Sequence, residues 1–192
     1  ATGDEDSSIS VDLSGSDIDG DVLTFSLGSD ASNGSVTVSG STATYTPNNN
    51  FNGSDSFTFI ASDSALSSEA TVSVTVNPVN DAPTFATSSL GDVDEDVAYS
   101  LTLDVDDIDN TDDELSISIS SGPSWLSVSG LSLSGTPSDS DVGTSTVVLN
   151  LSDGDIITSG SFEITVNAVN DPPVAENQSV TLNEDESATI YV

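Results

Sequence analysis

Apolar residues alternate with Ser, Thr and Asp along most of this chain, and the alternation predicts strands. Ile9-Val11-Leu13, Leu23-Phe25-Leu27, Phe57-Phe59-Ala61 and Val72-Val74-Val76 each put their apolar side chains on one face. A second set follows in Leu101-Leu103-Val105, Leu115-Ile117-Ile119, Val147-Leu149-Leu151 and Ile164-Val166. Ser and Thr fill the positions between, which suits half-buried antiparallel strands with one face to water. No helical period stands out, and Gly, Pro, Asn and Asp separate the strands. Low hydrophobicity with high charge often means disorder, but patterned apolar positions argue for a folded all-β chain.

The two sets belong to a repeat. Asp17 and Asp19 return as Asp107 and Asp109, Asp63 as Asp153, and Asn80-Asp81 as Asn170-Asp171, each 90 residues on. Glu5-Asp6 returns as Glu95-Asp96 and, one residue early, as Glu184-Asp185. This predicts a module at 1–81, a module at 82–171 and the opening of a third at 172–192, with formal charges of −12, −17 and −4. Each full module has the size of a β-sandwich. The segments Asn77-Pro78-Val79-Asn80-Asp81-Ala82-Pro83 and Asn167-Ala168-Val169-Asn170-Asp171-Pro172-Pro173 are the expected linkers, stiffened by proline. Asp4–Leu13 aligns with Asn183–Val192, so the first module is expected to lack an opening strand that Val174–Leu182 supplies in the third. That spare strand is expected to be available for exchange between copies of the chain.

Charge sharpens the picture. The chain has 33 acidic residues and no Lys, Arg or His, so no two side chains form a salt bridge. Nucleic acid and anionic membrane are poor partners, because both need a basic face. The absence of Cys excludes disulfides and thiol chemistry. No apolar run approaches the roughly 20 residues of a membrane-spanning helix, and no signal peptide is visible. The expected setting is a fragment of a longer secreted or surface protein. Scattered acids such as Asp12 and Asp30 read as solvation. Acids kept in register, with Asn beside them, offer hard oxygen ligands suited to Ca²⁺. The competing reading of the same residues is metal-free turn chemistry.

Motifs distinguish the modules. The first holds Asp17-Ile18-Asp19-Gly20-Asp21 and Tyr45-Thr46-Pro47, then Asn50-Phe51-Asn52-Gly53 and Asp55-Ser56-Phe57, with Ala61-Ser62-Asp63 following. The second holds Pro123-Ser124-Trp125-Leu126-Ser127, Leu133-Ser134-Gly135-Thr136-Pro137, Asp141-Val142-Gly143 and Leu151-Ser152-Asp153-Gly154. Together with the Val79-Asn80-Asp81-Ala82-Pro83 linker, these resemble bacterial cadherin-like tandem repeats, the second module being similar to the dystroglycan-type cadherin-like domain. The resemblance implies Ig-like Greek-key β-sandwiches set end to end, with Ca²⁺ at the junctions. Such repeats are common in giant surface adhesins of Gram-negative bacteria and also stand beside carbohydrate-active catalytic domains.

The resemblance also implies a ligand set. At the junction of the two full modules it takes Glu5 from the upper module, Asn80 and Asp81 from the linker, and Asp107, Asp109 and Asp153 from the lower module. Carbonyls near Asn77 and Val79 complete the shell, and two or three Ca²⁺ ions are expected. The Asp-Arg-Glu acids of the family have no exact counterpart; Asp55 is a weak substitute in the first module, and Asp139 or Asp141 in the second. Glu95, Asn170 and Asp171 form part of a lower junction, and Asp17, Asp19 and Asp63 a partial site in the first module.

The function these readings predict is a calcium-rigidified spacer in a bacterial adhesin, whose partners are neighbouring repeats. Polysaccharide binding is the alternative, with Tyr45, Phe51, Phe85, Tyr99 and Trp125 as candidate platforms. Trp125, between Pro and Leu, reads better as a core plug. Catalysis is disfavoured, because without His, Lys, Arg or Cys only a paired-carboxylate glycosidase remains open. Asn33-Gly34-Ser35 and Asn52-Gly53-Ser54 match glycosylation sequons but read as turns.

Overall fold

The computed structural model describes residues 1–112, 114–177, 179–181, 183–185, 187 and 189. The first module comprises β1 (Thr2–Asp4), β2 (Ile9–Asp12), β3 (Thr24–Leu27), β4 (Gly34–Ser39), β5 (Thr42–Pro47), β6 (Gly53–Ser62) and β7 (Ser67–Asn77). One sheet runs β1-β7-β6-β3 and the other β2-β5-β4. The second module comprises β8 (Thr84–Phe85), β9 (Asp92–Asp94), β10 (Tyr99–Thr102), β11 (Val105–Asp106), β12 (Ser116–Ser121), β13 (Ser127–Ser129), β14 (Ser132–Gly135), β15 (Gly143–Ser152) and β16 (Ile157–Asn167). Its sheets run β9-β16-β15-β12 and β10-β14-β13, the same orders, with an added ribbon of β8 on β11. The architecture is all-β, two Ig-like sandwiches in tandem.

The sequence repeat is a structural repeat. Gly53–Ser62 and Gly143–Ser152 are the same strand 90 positions apart, as are Ser67–Asn77 and Ile157–Asn167. Each pair forms a long antiparallel hairpin in continuous register. In both modules a short strand, β1 in the first and β9 in the second, joins the second member of that hairpin in parallel, Thr2 against Thr75 and Asp92 against Thr165. The inward positions of each sandwich form one core. Tyr45, Phe57, Val74 and Val76 are buried in the first; Leu133, Val147, Leu149, Leu151 and Ile164 are buried in the second. Apart from Tyr45 of β5 and Leu133 of β14, these are the alternating positions of the sequence, which is why the alternation located the hairpins.

Several expectations are refined. Leu101-Leu103-Val105 is not one strand. β10 pairs with β14, the chain turns at Asp104, and β11 pairs instead with β8. The Asp104 carbonyl accepts the amides of Ala86 and Thr87, which fixes the turn. Asn33-Gly34-Ser35 and Asn52-Gly53-Ser54 do not stand as free turns, since Gly34 opens β4 and Gly53, at φ +122°, opens β6. Strands β4 and β5 carry only two buried or half-buried apolar positions each, Val36 and Val38, and Ala43 and Tyr45. That is too short an alternation to stand out.

Trp125 packs against the core, edge-on to Tyr99 at 5.9 Å and 88°. Tyr45 and Tyr99 are buried, which removes them as sugar platforms. Among the described residues of 172–192 there is no strand. The expected strand Val174–Leu182 includes Gln178 and Leu182, and its aligned continuation includes residues 186, 188 and 190–192; all of these lie outside the described residues.

Candidate cation-binding junction

The linker leaves β7 at Asn77 and enters β8 at Thr84. Its geometry is set by a buried carboxylate. Glu5 follows β1 and is only 2% exposed. Its own amide donates to the Asn77 carbonyl at 3.0 Å, and its Oε1 accepts the Val79 amide at 2.8 Å. Its Oε2 accepts a long bond, 3.4 Å, from Asn52 Nδ2. A buried carboxylate without such donors is costly. Glu5 therefore clamps the outgoing linker against the start of its own module.

On the far side, the lower module presents two acidic loops. Asp107 Oδ1 accepts the amides of Asp109 and Asn110, each at 2.8 Å. Asp153 Oδ1 accepts those of Asp155 and Ile156 at 2.7 and 2.6 Å. In each loop one oxygen holds the turn, and the second is left to face the junction. Asp153 Oδ2 accepts Asn80 Nδ2 at 2.8 Å, and Asp109 Oδ2 accepts the Asp81 amide at 2.7 Å. The linker is thus tied to both acidic loops.

Asp81 sits at the centre. Burial pushes its carboxyl pKa up, and the charges of Asp6, Asp109, Glu5 and Asp107 push it further. Asp153 is shifted the other way, because the Ile156 amide and the Asn80 side chain hold its carboxylate below the usual range. Asp81 Oδ2 and Asp107 Oδ2 are buried and have no hydrogen-bond partner. Buried polar atoms are normally satisfied, so each such orphan asks for an explanation. The donor set around them is entirely oxygen, as a hard cation requires. Among the described residues no three acidic groups are gathered tightly enough to hold a metal ion as they stand.

The other expected residues divide between the two outer ends. Asp17 Oδ1 accepts the amides of Asp19 and Asp21, and Asp63 Oδ1 those of Ala65 and Leu66. The Asp63 turn repeats that of Asp153, whereas Asp17 takes the amide four residues on where Asp107 takes the one three residues on. Glu95 repeats the Glu5 clamp, with its Oε1 accepting the Val169 amide at 2.5 Å. Its Oε2 is buried and unpartnered, because Val142 stands where the first module has Asn52. Asn170 donates to the Asp171 carbonyl, and both residues are exposed.

Asp55 is not at the junction. Its carboxylate accepts the amides of Ser32, Asn33 and Ser56 and the Tyr45 hydroxyl, tying strands together within the first module. Asp141 is likewise occupied by the Ser138 amide and hydroxyl. Asp6 lies outside the expected ligand set, yet its charge is among those that push the Asp81 carboxyl up. Its sequence signal is the Glu5-Asp6 register, repeated at Asp96 and Asp185, and all three Asp residues take positive φ.

Comparison with known proteins follows this geometry. Residues 1–75 match the bacterial Ig domain family, and residues 82–187 match a second Ig-domain family, He_PIG. No curated protein sequence matches the chain. Among solved structures, human protocadherin-24 EC1-2 is similar over 90% of this chain and 94% of that one, at 17% identity and TM-score 0.60. Drosophila N-cadherin EC1-4 is similar over 88% of this chain and 47% of that one, at 15% identity and TM-score 0.57. At these identities the likeness is one of fold. The endo-fucoidan hydrolase MfFcnA4 of glycoside hydrolase family 107 is 33% identical over 88% of this chain, which spans only 27% of that enzyme, at TM-score 0.44. The match over residues 82–187 places the chain in the He_PIG Ig-domain family, with a bacterial Ig domain matched in front of it, and the pair has the fold of cadherin-like tandem repeats.

Proposed function

We propose that the chain is a calcium-rigidified spacer, part of the repeat array of a large bacterial surface or secreted adhesin. The observation that carries this is the pair of buried, unpartnered oxygens, Asp81 Oδ2 and Asp107 Oδ2, between two modules. Around them converge Glu5 and Asp6 from the upper module, Asn80 from the linker, and Asp109 and Asp153 from the lower module. A bound Ca²⁺ supplies the positive charge that this wholly acidic chain lacks. The chain's residues then do the mechanical work. Glu5 fixes where the linker leaves, Asn80 and Asp81 fix how it meets the lower module, and the loop turns pre-orient Asp107 and Asp153. The reading takes two or three ions at this junction. Glu95 with Asn170 and Asp171, and Asp17 with Asp19 and Asp63, are the corresponding half-sites toward further repeats. The location this reading implies is extracellular.

Polysaccharide binding is the second reading, and its candidate platforms are weakened by the burial of Tyr45 and Tyr99. Phe51, Phe85 and Trp125 are half-buried and packed on the cores. Among the described residues no constellation in either module supports catalysis.

Thermal unfolding in EDTA, in millimolar CaCl₂ and in MgCl₂ tests the spacer. Calcium is expected to raise the midpoint specifically, by the equivalent of about 2.7 kcal/mol at a hundredfold excess over Kd. Asp107→Asn keeps the oxygen that holds its loop turn and removes the charge, so it should abolish most of the rise while leaving the EDTA midpoint intact. An unchanged midpoint in calcium would reduce the registered acids to solvated turns.

A further inference from the structure

Asparagine is chemically labile, and most so before glycine, where no Cβ hinders attack of the next backbone nitrogen on the side-chain amide. The chain has two such dipeptides, Asn33-Gly34 and Asn52-Gly53. The fold treats them differently. Asn33 is held firmly. Its backbone amide donates to Asp55 Oδ2 at 2.8 Å, and its carbonyl accepts the Asn48 amide at 2.8 Å and the Tyr45 hydroxyl at 3.3 Å. A Cβ on Gly34 would stand 2.6 Å from both the Thr46 carbonyl and the Tyr45 ring, so that corner is filled.

Asn52 is exposed, and the bond from its Nδ2 to Glu5 Oε2 is long at 3.4 Å. Gly53 takes φ +122°, and among the described residues a Cβ there would meet only the edge of the Phe51 ring, at 3.9 Å. The amide is therefore free to turn onto the Gly53 nitrogen. Its one neighbour gives the loss of that amide a consequence. Glu5 is the carboxylate, 2% exposed, that clamps the linker. The second module has Val142 at the equivalent position and carries no such amide.

We propose that Asn52 is a site of spontaneous deamidation, which sets a second carboxylate against Glu5. The Gly53 backbone nitrogen bonds to Asn52 Cγ, the Cγ–Nδ2 bond breaks, and ammonia leaves carrying the Gly53 proton. Water then opens the five-membered imide at either carbonyl, giving aspartate or isoaspartate. Nothing is oxidised or reduced, and water is the sole co-reactant. The product loses the donor to Glu5 and places like charges together, which weakens the metal-free junction. With a cation bound, the new carboxylate is a further oxygen ligand. That second effect rests on the cation reading above; the deamidation itself does not.

Warm incubation of the full chain in EDTA at mildly alkaline pH, followed by peptide mass spectrometry, tests the chemistry. Asn52 should show the mass change of an amide turned carboxylate while Asn33 stays intact, and Asn52→Gln should remove the change. Equal conversion at the two sites overturns the proposal, as does an intact Asn52 over a time in which a synthetic peptide of residues 48–57 converts. Asn52→Asp reproduces the aspartyl product. Its unfolding midpoint in EDTA should fall by about 5 °C, and CaCl₂ should return most of that loss. A midpoint in EDTA equal to wild type overturns the effect on Glu5. A loss that calcium leaves in place, in a chain whose wild type responds to calcium, overturns the ligand role of the new carboxylate. A wild type that ignores calcium sinks the cation reading instead, and leaves the deamidation standing.

Discussion

Ser64 takes φ +83°, a left-handed backbone, at the position where the second module has Gly154 at φ +105°. A Cβ in that region costs about 1–2 kcal/mol, and glycine returns part of the difference as unfolded-state entropy. Ser64→Gly should therefore stabilise the first module by about 0.5–1 kcal/mol, and Gly154→Ser should destabilise the second by a similar amount. Urea unfolding of the two variants in EDTA checks both signs. The comparison was available in the sequence, since the two residues are one repeat apart. What the sequence did not carry was the backbone angle that gives the difference its direction. The junction acids show the same division. Their register marks Asp81 and Asp107 as special, but only packing shows that one oxygen of each is buried without a partner.

At the scale of elements, Asp55 is the instructive case. It is a substitute metal ligand by motif, and by contact a clip holding the Ser32–Asn33 turn, β5 through Tyr45, and β6. Burial works to raise its pKa, but the amides of Asn33, Ser56 and Ser32 and the Tyr45 hydroxyl outweigh it and hold the carboxyl below its ordinary 3.8. An acid depressed in the folded state stabilises the fold above its unfolded pKa and loses that contribution as pH falls through the folded value. Tyr45 has the opposite sign. Burial first, then its bond to Asp55 and the charge of Asp55, push its hydroxyl up from 10.0 to about 12. Its contribution is complete below pH 10.0 and lost as pH rises toward about 12. Urea unfolding against pH, wild type beside Asp55→Asn, should show the variant less stable at neutral pH and flatter in the acid limb. The long hairpins were legible because four or more apolar residues alternate in each; β4, β5, β13 and β14 were not, because each buries too few.

At the scale of the whole molecule, 33 acidic residues without a basic side chain dominate the electrostatics of the chain. Mutual repulsion is its dominant long-range force, and salt screens it. In EDTA, raising NaCl to about 1 M, where the screening length is about 3 Å, should raise the unfolding midpoint. In saturating CaCl₂ the same salt step should have a much smaller effect, because the closest charges are already neutralised. Calorimetric scans of the four conditions read this directly, and an equal response in both would place the repulsion outside the junction. The strand order shared by both sandwiches follows from the 90-residue register, since one pattern of apolar positions and turns specifies one fold twice.

The sequence by itself determined the class of the molecule: all-β from the alternation, tandem from the register, cation-dependent chemistry as an expectation from acids with no bases to pair with them. These are properties of pattern and composition, and they survive without coordinates. The tertiary structure decided which acids do which work. It withdrew Asp55 and Asp141 into local clips, buried Tyr45 and Tyr99, and left one oxygen each of Asp81 and Asp107 buried without a partner. Such assignments depend on contacts between residues far apart in the chain. A repeat spacing shows that two positions are equivalent; only packing shows what each one touches.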